Sequence, residues 1–154
     1  KPGNCQIKSE LLHVMAFVVT LITAVMAVML HYESFILFDR LVGRLTLSHR
    51  RRMLLLIFGL LLVHIIAIWG FGISAWWLAE VNSAGEVMGY ETMSFFDYIF
   101  MSAVTYTTLG YGDMIPLGPI RFLYGTQGLV GFVLITWSAS FAFLEMQRNW
   151  NKRD

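Results

Sequence analysis

The chain has 154 residues, of which 57 % are apolar, 15 % aromatic and 14 % charged, with a formal net charge of +1. That balance lies outside ordinary soluble composition, and it offers neither the basic surface of a nucleic-acid binder nor a field that would seek an acidic partner. Residues 11–30, 53–79 and 122–144 contain no Asp, Glu, Lys or Arg, and each stretch reaches the roughly 20 residues that a helix needs to cross a bilayer. Long helices of a small soluble core would each keep a polar face, so the chain reads as an all-α membrane protein with three transmembrane helices and lipid around them.

The first span follows Lys1 and Lys8 but exceeds the roughly 7–15 apolar residues of a signal peptide, so it reads as retained. Ala16, Thr20, Thr23, Ala24 and Ala27 form a small-residue stripe on it, suited to close contact with the second or third span. Arg40, Arg44, Arg50, Arg51 and Arg52 follow, and Arg148, Lys152 and Arg153 come after the third span. By the positive-inside rule both basic segments are expected in the cytoplasm, with the N-terminus outside and the C-terminus inside. Within the first basic segment, Phe35, Phe38, Val42 and Leu45 fall at helical spacing opposite Arg40 and Arg44. That pattern suits either a separate helix lying in the membrane interface or an ordinary connector. The lone Cys5 carries no intrachain disulfide.

Trp76 and Trp77 close the second span as interfacial anchors. The link beyond it holds Glu80, Glu86 and Glu91 without Lys or Arg, and is expected outside. Residues 94–107 then read as a short helix, with Ser94 as cap and Asp97 as the acidic partner three residues on. At 1.5 Å per residue it extends only about 20 Å, too little to cross, so it is expected to enter from outside and turn back. Irregular backbone at that depth is tolerated only where it is buried in protein or lines a watery cavity.

The irregular stretch is Thr-Thr-Leu-Gly-Tyr-Gly-Asp, residues 107–113. A dehydrated cation needs oxygens on several sides, which consecutive backbone carbonyls aimed at one axis can supply. An ordinary strand alternates its carbonyls; turning them the same way demands left-handed positions, which Gly110 and Gly112 occupy without steric cost. Leu109 and Tyr111 then direct side chains away from the axis, the Thr108 hydroxyl adds an inner oxygen, and the short helix points its partly negative end at the path.

With this heptapeptide between two uncharged spans, the chain resembles the potassium channel superfamily, whose pore module runs outer helix, re-entrant pore helix, selectivity filter and inner helix. The similarity covers roughly residues 53–146. It implies passive, potassium-selective conduction, with K+ held at Thr108, Leu109, Gly110 and Tyr111, Gly112 completing the filter, and Thr107 and Asp113 supporting it. It also implies a homotetramer around a central pore, in the cell membrane of a compact prokaryotic type. No cofactor is expected beyond potassium ions in the filter. Leu109 stands where Val or Ile is commoner, and Val104 stands where some members carry an acid that pairs with the aspartate after the filter, so Asp113 is expected to be held differently.

The third span carries Gly125, Gly128 and Gly131. Close packing is the favoured reading of these glycines, although Gly131 falls about where the family's inner-helix hinge glycine lies. On the hinge reading, Gly131→Ala alters open probability and leaves selectivity unchanged. Glu145 and Arg148 read as a solvated pair one turn apart. No span carries arginines at three-residue spacing, so no voltage sensor is expected, and with only a short stretch after Glu145 no ligand-binding domain is expected there. His64 in mid-span reads as a neutral imidazole bonded to a neighbouring helix, with a response to pH as the alternative, and His13, His31 and His49 are scattered across opposite sides, so no metal site is expected with it. The expected organisation is an N-terminal helix and basic linker over 1–52, a pore domain over 53–147 and a tail over 148–154. Neither a nucleophile–base constellation nor a phosphate loop is present, so no enzyme is expected. A weakly selective cation channel and a pore subunit of an ion-uptake transporter are the alternatives; the latter would favour several degenerate pore repeats in one chain.

Overall fold

A computed structural model describes residues 3–44, 48–89 and 92–150. Its elements are α1 (Gly3–Arg44), α2 (His49–Trp76), a π-helical turn (Trp77–Val81), β1 (Glu86–Met88), α3 (Phe95–Tyr106), β2 (Ile115–Leu117), a 3-10 turn (Gly118–Ile120) and α4 (Arg121–Trp150). Three helical segments, Gln6–Leu41, Arg50–Val81 and Gly118–Arg148, are long and apolar enough to cross a membrane. Each contains one of the expected spans and outruns it at both ends.

The first helix corrects the sequence reading. Residues 33–44 form neither a separate interfacial helix nor a connector, because α1 runs unbroken for 42 residues. No Gly or Pro occurs between Lys8 and Val42, so nothing stops the helix where the first apolar run ends. The aromatic stripe assigned to lipid packs on protein: Phe35 stacks on Phe141 at 4.7 Å and meets Trp137 edge-on at 4.9 Å. Phe38 lies over Gly59, whose missing side chain makes room for the ring. Leu45 lies outside the described residues, as do Lys1, Glu91, Lys152 and Arg153.

Residue pairs fix the helix directions. Phe17 of α1 meets Phe122 of α4 at 5.3 Å while Phe35 meets Phe141, so α1 and α4 run parallel. Thr23 bonds Ser74 at 2.9 Å and His31 bonds His64, so α2 runs opposite to α1. Ala16, Thr20 and Ala27 of the small-residue stripe are buried, as expected where backbones approach without a hydrophobic driving force. Arg148 reaches Asp39 at 3.1 Å, which brings the end of α4 beside the end of α1. The basic segments therefore share one end of the bundle, and the ribbon with Glu80 and Glu86 occupies the other.

At that second end β1 and β2 pair antiparallel, with Val87 opposite Pro116. The pairing closes the segment between them into a loop that leaves and returns at one place. Inside it α3 begins where the sequence predicts: the Asp97 carboxylate accepts from the Ser94 N–H and Oγ–H, both at 2.7 Å. These bonds hold the Asp97 carboxyl below the ordinary carboxylate value, so the stabilisation is complete above about pH 4 and is lost as pH falls through the lowered value. Asp97→Ala is expected to lower stability by about 1 kcal/mol at neutral pH. The thermal midpoint in detergent checks this, and the difference from wild type should shrink in acid. Trp76, expected as an anchor, packs edge-on against Phe95 at 5.6 Å, whereas Trp77 stays exposed.

Candidate functional site

The site is built on α3, which is wedged between α2 and α4. Ser102 donates to the Ile68 carbonyl at 2.7 Å, and the buried Gln127 amide donates to the Ser102 carbonyl at 3.0 Å and to Ser102 Oγ at 2.5 Å. One small residue thus ties α3 to both long helices through side-chain bonds of the kind that holds helices together in lipid. Toward the ribbon, Tyr98 donates to Glu80 at 2.8 Å, and burial together with this carboxylate pushes the Tyr98 hydroxyl pKa upward. Tyr98→Phe is expected to cost about 1 kcal/mol of stability, read as a lowered thermal midpoint; an unchanged midpoint would show that the bond contributes nothing.

Toward the other end, α3 stops at Tyr106 and Thr107 caps it. The stop coincides with a close approach of α4. A Cβ on Gly131 would lie 2.2 Å from the Tyr106 carbonyl oxygen, so the absent side chain is what lets α4 pass under the last turn of α3. Within α4 the helix is continuous across Gly131.

Residues 107–113 follow directly. The N–H groups of Leu109 and Gly110 turn back to the Val104 carbonyl at 2.9 and 3.4 Å, and that of Thr108 to Thr105 at 3.0 Å. The carbonyls of residues 108–112 accept no hydrogen bond from the described residues. Positive φ recurs at every second residue, with 58° at Thr108, 57° at Gly110 and 84° at Gly112. Two of these three are Gly110 and Gly112, the positions expected to be left-handed. Thr108 goes beyond the prediction: an L-residue in the left-handed region is strained by roughly 1–2 kcal/mol, and threonine's branched Cβ offers no relief.

Tyr111 leans away and stacks on Phe100, with ring centroids 6.4 Å apart and planes 9° from parallel. Behind the loop lies a cavity of about 210 Å³ walled by Met101, Val104, Thr105, Tyr111 and Tyr124. Asp113 is exposed, and its carboxylate has no hydrogen bond or ion pair among the described residues. The whole stretch is uncovered: Leu109 is 57 % and Tyr111 62 % exposed.

Elsewhere two sequence readings change. Glu145 and Arg148 do pair, at 2.7 Å, but the Glu145 side chain is only 8 % exposed, so this is a buried carboxylate under an exposed guanidinium that also holds α1, rather than a solvated surface pair. His31, read as remote from His64, lies against it at 3.1 Å. The misplacement followed from treating α1 as ending near Leu30; continued as one helix, it carries His31 down the flank of α2. Among the described residues no group of three or more His, Cys, Asp or Glu is arranged to hold a metal ion.

This framework, two long apolar helices with a short helix and a carbonyl-lined loop slung between them, is that of an ion-conducting pore module. Residues 52–148 match the model of the family described as "Ion channel", and the chain belongs to that family. The resemblance to the potassium channel superfamily read from the sequence holds over nearly the same residues, and the chain is a multi-pass membrane protein. Neither the curated proteins nor the solved structures contain a match.

Proposed function

We propose that the chain is one subunit of a potassium-selective channel that conducts passively through residues 107–113, four copies standing around a central axis. The observation that carries this reading is the run of unbonded carbonyls at 108–112 behind positive φ at alternate residues. Thr108, Leu109, Gly110 and Tyr111 would hold K+, with Gly112 at the mouth, and the C-terminal end of α3 contributes roughly half a negative charge toward the ion. A cation stripped of water needs such oxygens from several directions, and a single chain offers one wall. Bare carbonyls at membrane depth are costly unless they are buried in protein or line a watery cavity, which favours closed cyclic assembly around a pore.

The orientation follows from charge. Arg40, Arg50, Arg51, Arg52 and Arg148 gather at one end and outnumber Lys8 and Arg121 at the other, so the positive-inside rule puts the first end in the cytoplasm and the ribbon, the filter mouth and the N-terminus outside. Flux from potassium-loaded liposomes tests the activity: efflux of K+ that far outpaces Na+ without a second driving ion is expected. Equal efflux of both ions would indicate a weakly selective cation channel, and dependence on a second gradient would indicate a transporter subunit. Cross-linking in the same membranes should stop at four subunits.

A further inference from the structure

Three polar groups from three helices meet in the middle of the bundle. His31 of α1 is fully buried; its Nε2 lies 3.1 Å from His64 Nδ1 of α2, and the same Nδ1 lies 3.0 Å from the Tyr106 hydroxyl of α3. His31 Nδ1 lies 2.8 Å from the Ala27 carbonyl. A carbonyl only accepts, so His31 Nδ1 carries a proton and neutral His31 presents a lone pair at Nε2. Two lone pairs do not face each other at this distance. The proton between the rings therefore sits on His64 Nδ1, with the Tyr106 oxygen beside the same N–H, an assignment made from the partners. That leaves His64 Nε2 as the bare nitrogen, on a ring that lines a cavity of about 420 Å³ between α2 and α4, together with Thr107 and Ser138.

We infer that the His31–His64–Tyr106 chain is a proton-responsive coupling between α1 and the filter, a role that rests on the channel reading above. Tyr106 is the last residue of α3, its carbonyl is the atom under which Gly131 passes, and Thr107 begins the filter stretch. A first proton enters at His64 Nε2 and leaves the bond to His31 intact, but it places a unit positive charge beside the negative end of α3. That charge opposes the partial charge which favours a cation at the inner filter. A second proton sets N–H against N–H and separates α1 from α2.

Among the described residues no carboxylate faces the pair to neutralise it. On α1 the nearest acid is Glu33, exposed on the turn below; α2 has no charged residue from Met53 to Ala79; on α3 Asp97 stands at the far end. On α4 no charge lies between Arg121 and Glu145, and Glu145 is tied to Arg148. Acid is therefore expected to reduce conduction.

Recordings of the full chain in planar bilayers, stepped from about pH 8 down to about pH 3.5, through and below the ordinary histidine range, test this. Wild-type current should fall several-fold while the potassium reversal potential holds. His64→Gln and His31→Gln, which keep neutral hydrogen-bonding amides, should retain that reversal potential and lose most of the acid response. Wild-type current indifferent to pH, or an acid response surviving in both variants, overturns the coupling without touching the channel reading. A protein silent at every pH contradicts the channel reading instead, and 15N spectra of histidine-labelled protein then test the coupling alone. Joint titration of His31 and His64, with His64 altered by Tyr106→Phe, supports it; independent titration overturns it.

Discussion

Gly110→Ala is expected to abolish discrimination between potassium and sodium while leaving the subunits assembled. Within one chain an added Cβ at Gly110 meets no atom within 4 Å, so the penalty does not come from a collision in the fold. It comes from the backbone: φ at Gly110 is +57°, where an L-residue is disfavoured by roughly 1–2 kcal/mol. The favourable alternative moves φ negative and swings a carbonyl off the axis. Because the proposed ring repeats the defect in every subunit, even the low end of that range summed over the copies exceeds the roughly 1.4 kcal/mol that makes a tenfold difference. A selectivity ratio reduced at least tenfold, with unchanged oligomer size, is the expected result; an unchanged ratio would mean that carbonyl direction at this residue does not set selectivity.

Gly131→Ala is expected to damage stability and selectivity together. The substituted Cβ would stand 2.2 Å from the Tyr106 carbonyl oxygen and 2.9 Å from that residue's carbonyl carbon, and backbone atoms cannot rotate away as a side-chain tip can. Either α4 withdraws or the last turn of α3 lifts, at a cost of about 1–3 kcal/mol for overpacking of this kind. Thr107 follows Tyr106, so the shift is transmitted to the filter stretch. This differs from the hinge reading of the sequence, in which open probability alone changes. A thermal midpoint lowered by several degrees with a reduced potassium preference would establish the close contact; altered gating with unchanged midpoint and selectivity would establish the hinge.

Local chemistry made much of this architecture legible. Ser94 with Asp97 marked the start of α3 to the residue, Thr107 marked its end, and Gly110 and Gly112 marked two of the three left-handed positions. Thr108 escaped because nothing in a threonine announces φ of +58°; the position is imposed by the fold around it. Long-range pairing was the larger blind spot. His31 and His64 are 33 residues apart, and their contact depends on how far α1 continues, which the run without Gly or Pro up to Val42 signalled and the apolar count obscured. Glu145 looked solvated because it follows the last uncharged run and stands one turn before Arg148, whereas its burial arises from helices that pack around it.

Helix contacts give α1 the place against the second and third spans that its small-residue stripe indicated. It lies in the groove of α2 and α4, is pinned at one end by Phe17 on Phe122 and at the other by Phe35 on Phe141, and is joined to α4 by Asp39 and Arg148. Movement of α4 must carry α1 with it or break these contacts. Any displacement of α1 is felt at His64 and hence at the end of α3.

The central claim, that residues 107–113 select potassium, is tested most directly by the reversal potential of the purified chain in a planar bilayer with equal concentrations of potassium chloride and sodium chloride on opposite sides. The account predicts a value close to the potassium limit, collapsing toward zero in Gly110→Ala. A clear cation current in the unaltered protein that reverses near zero would contradict it.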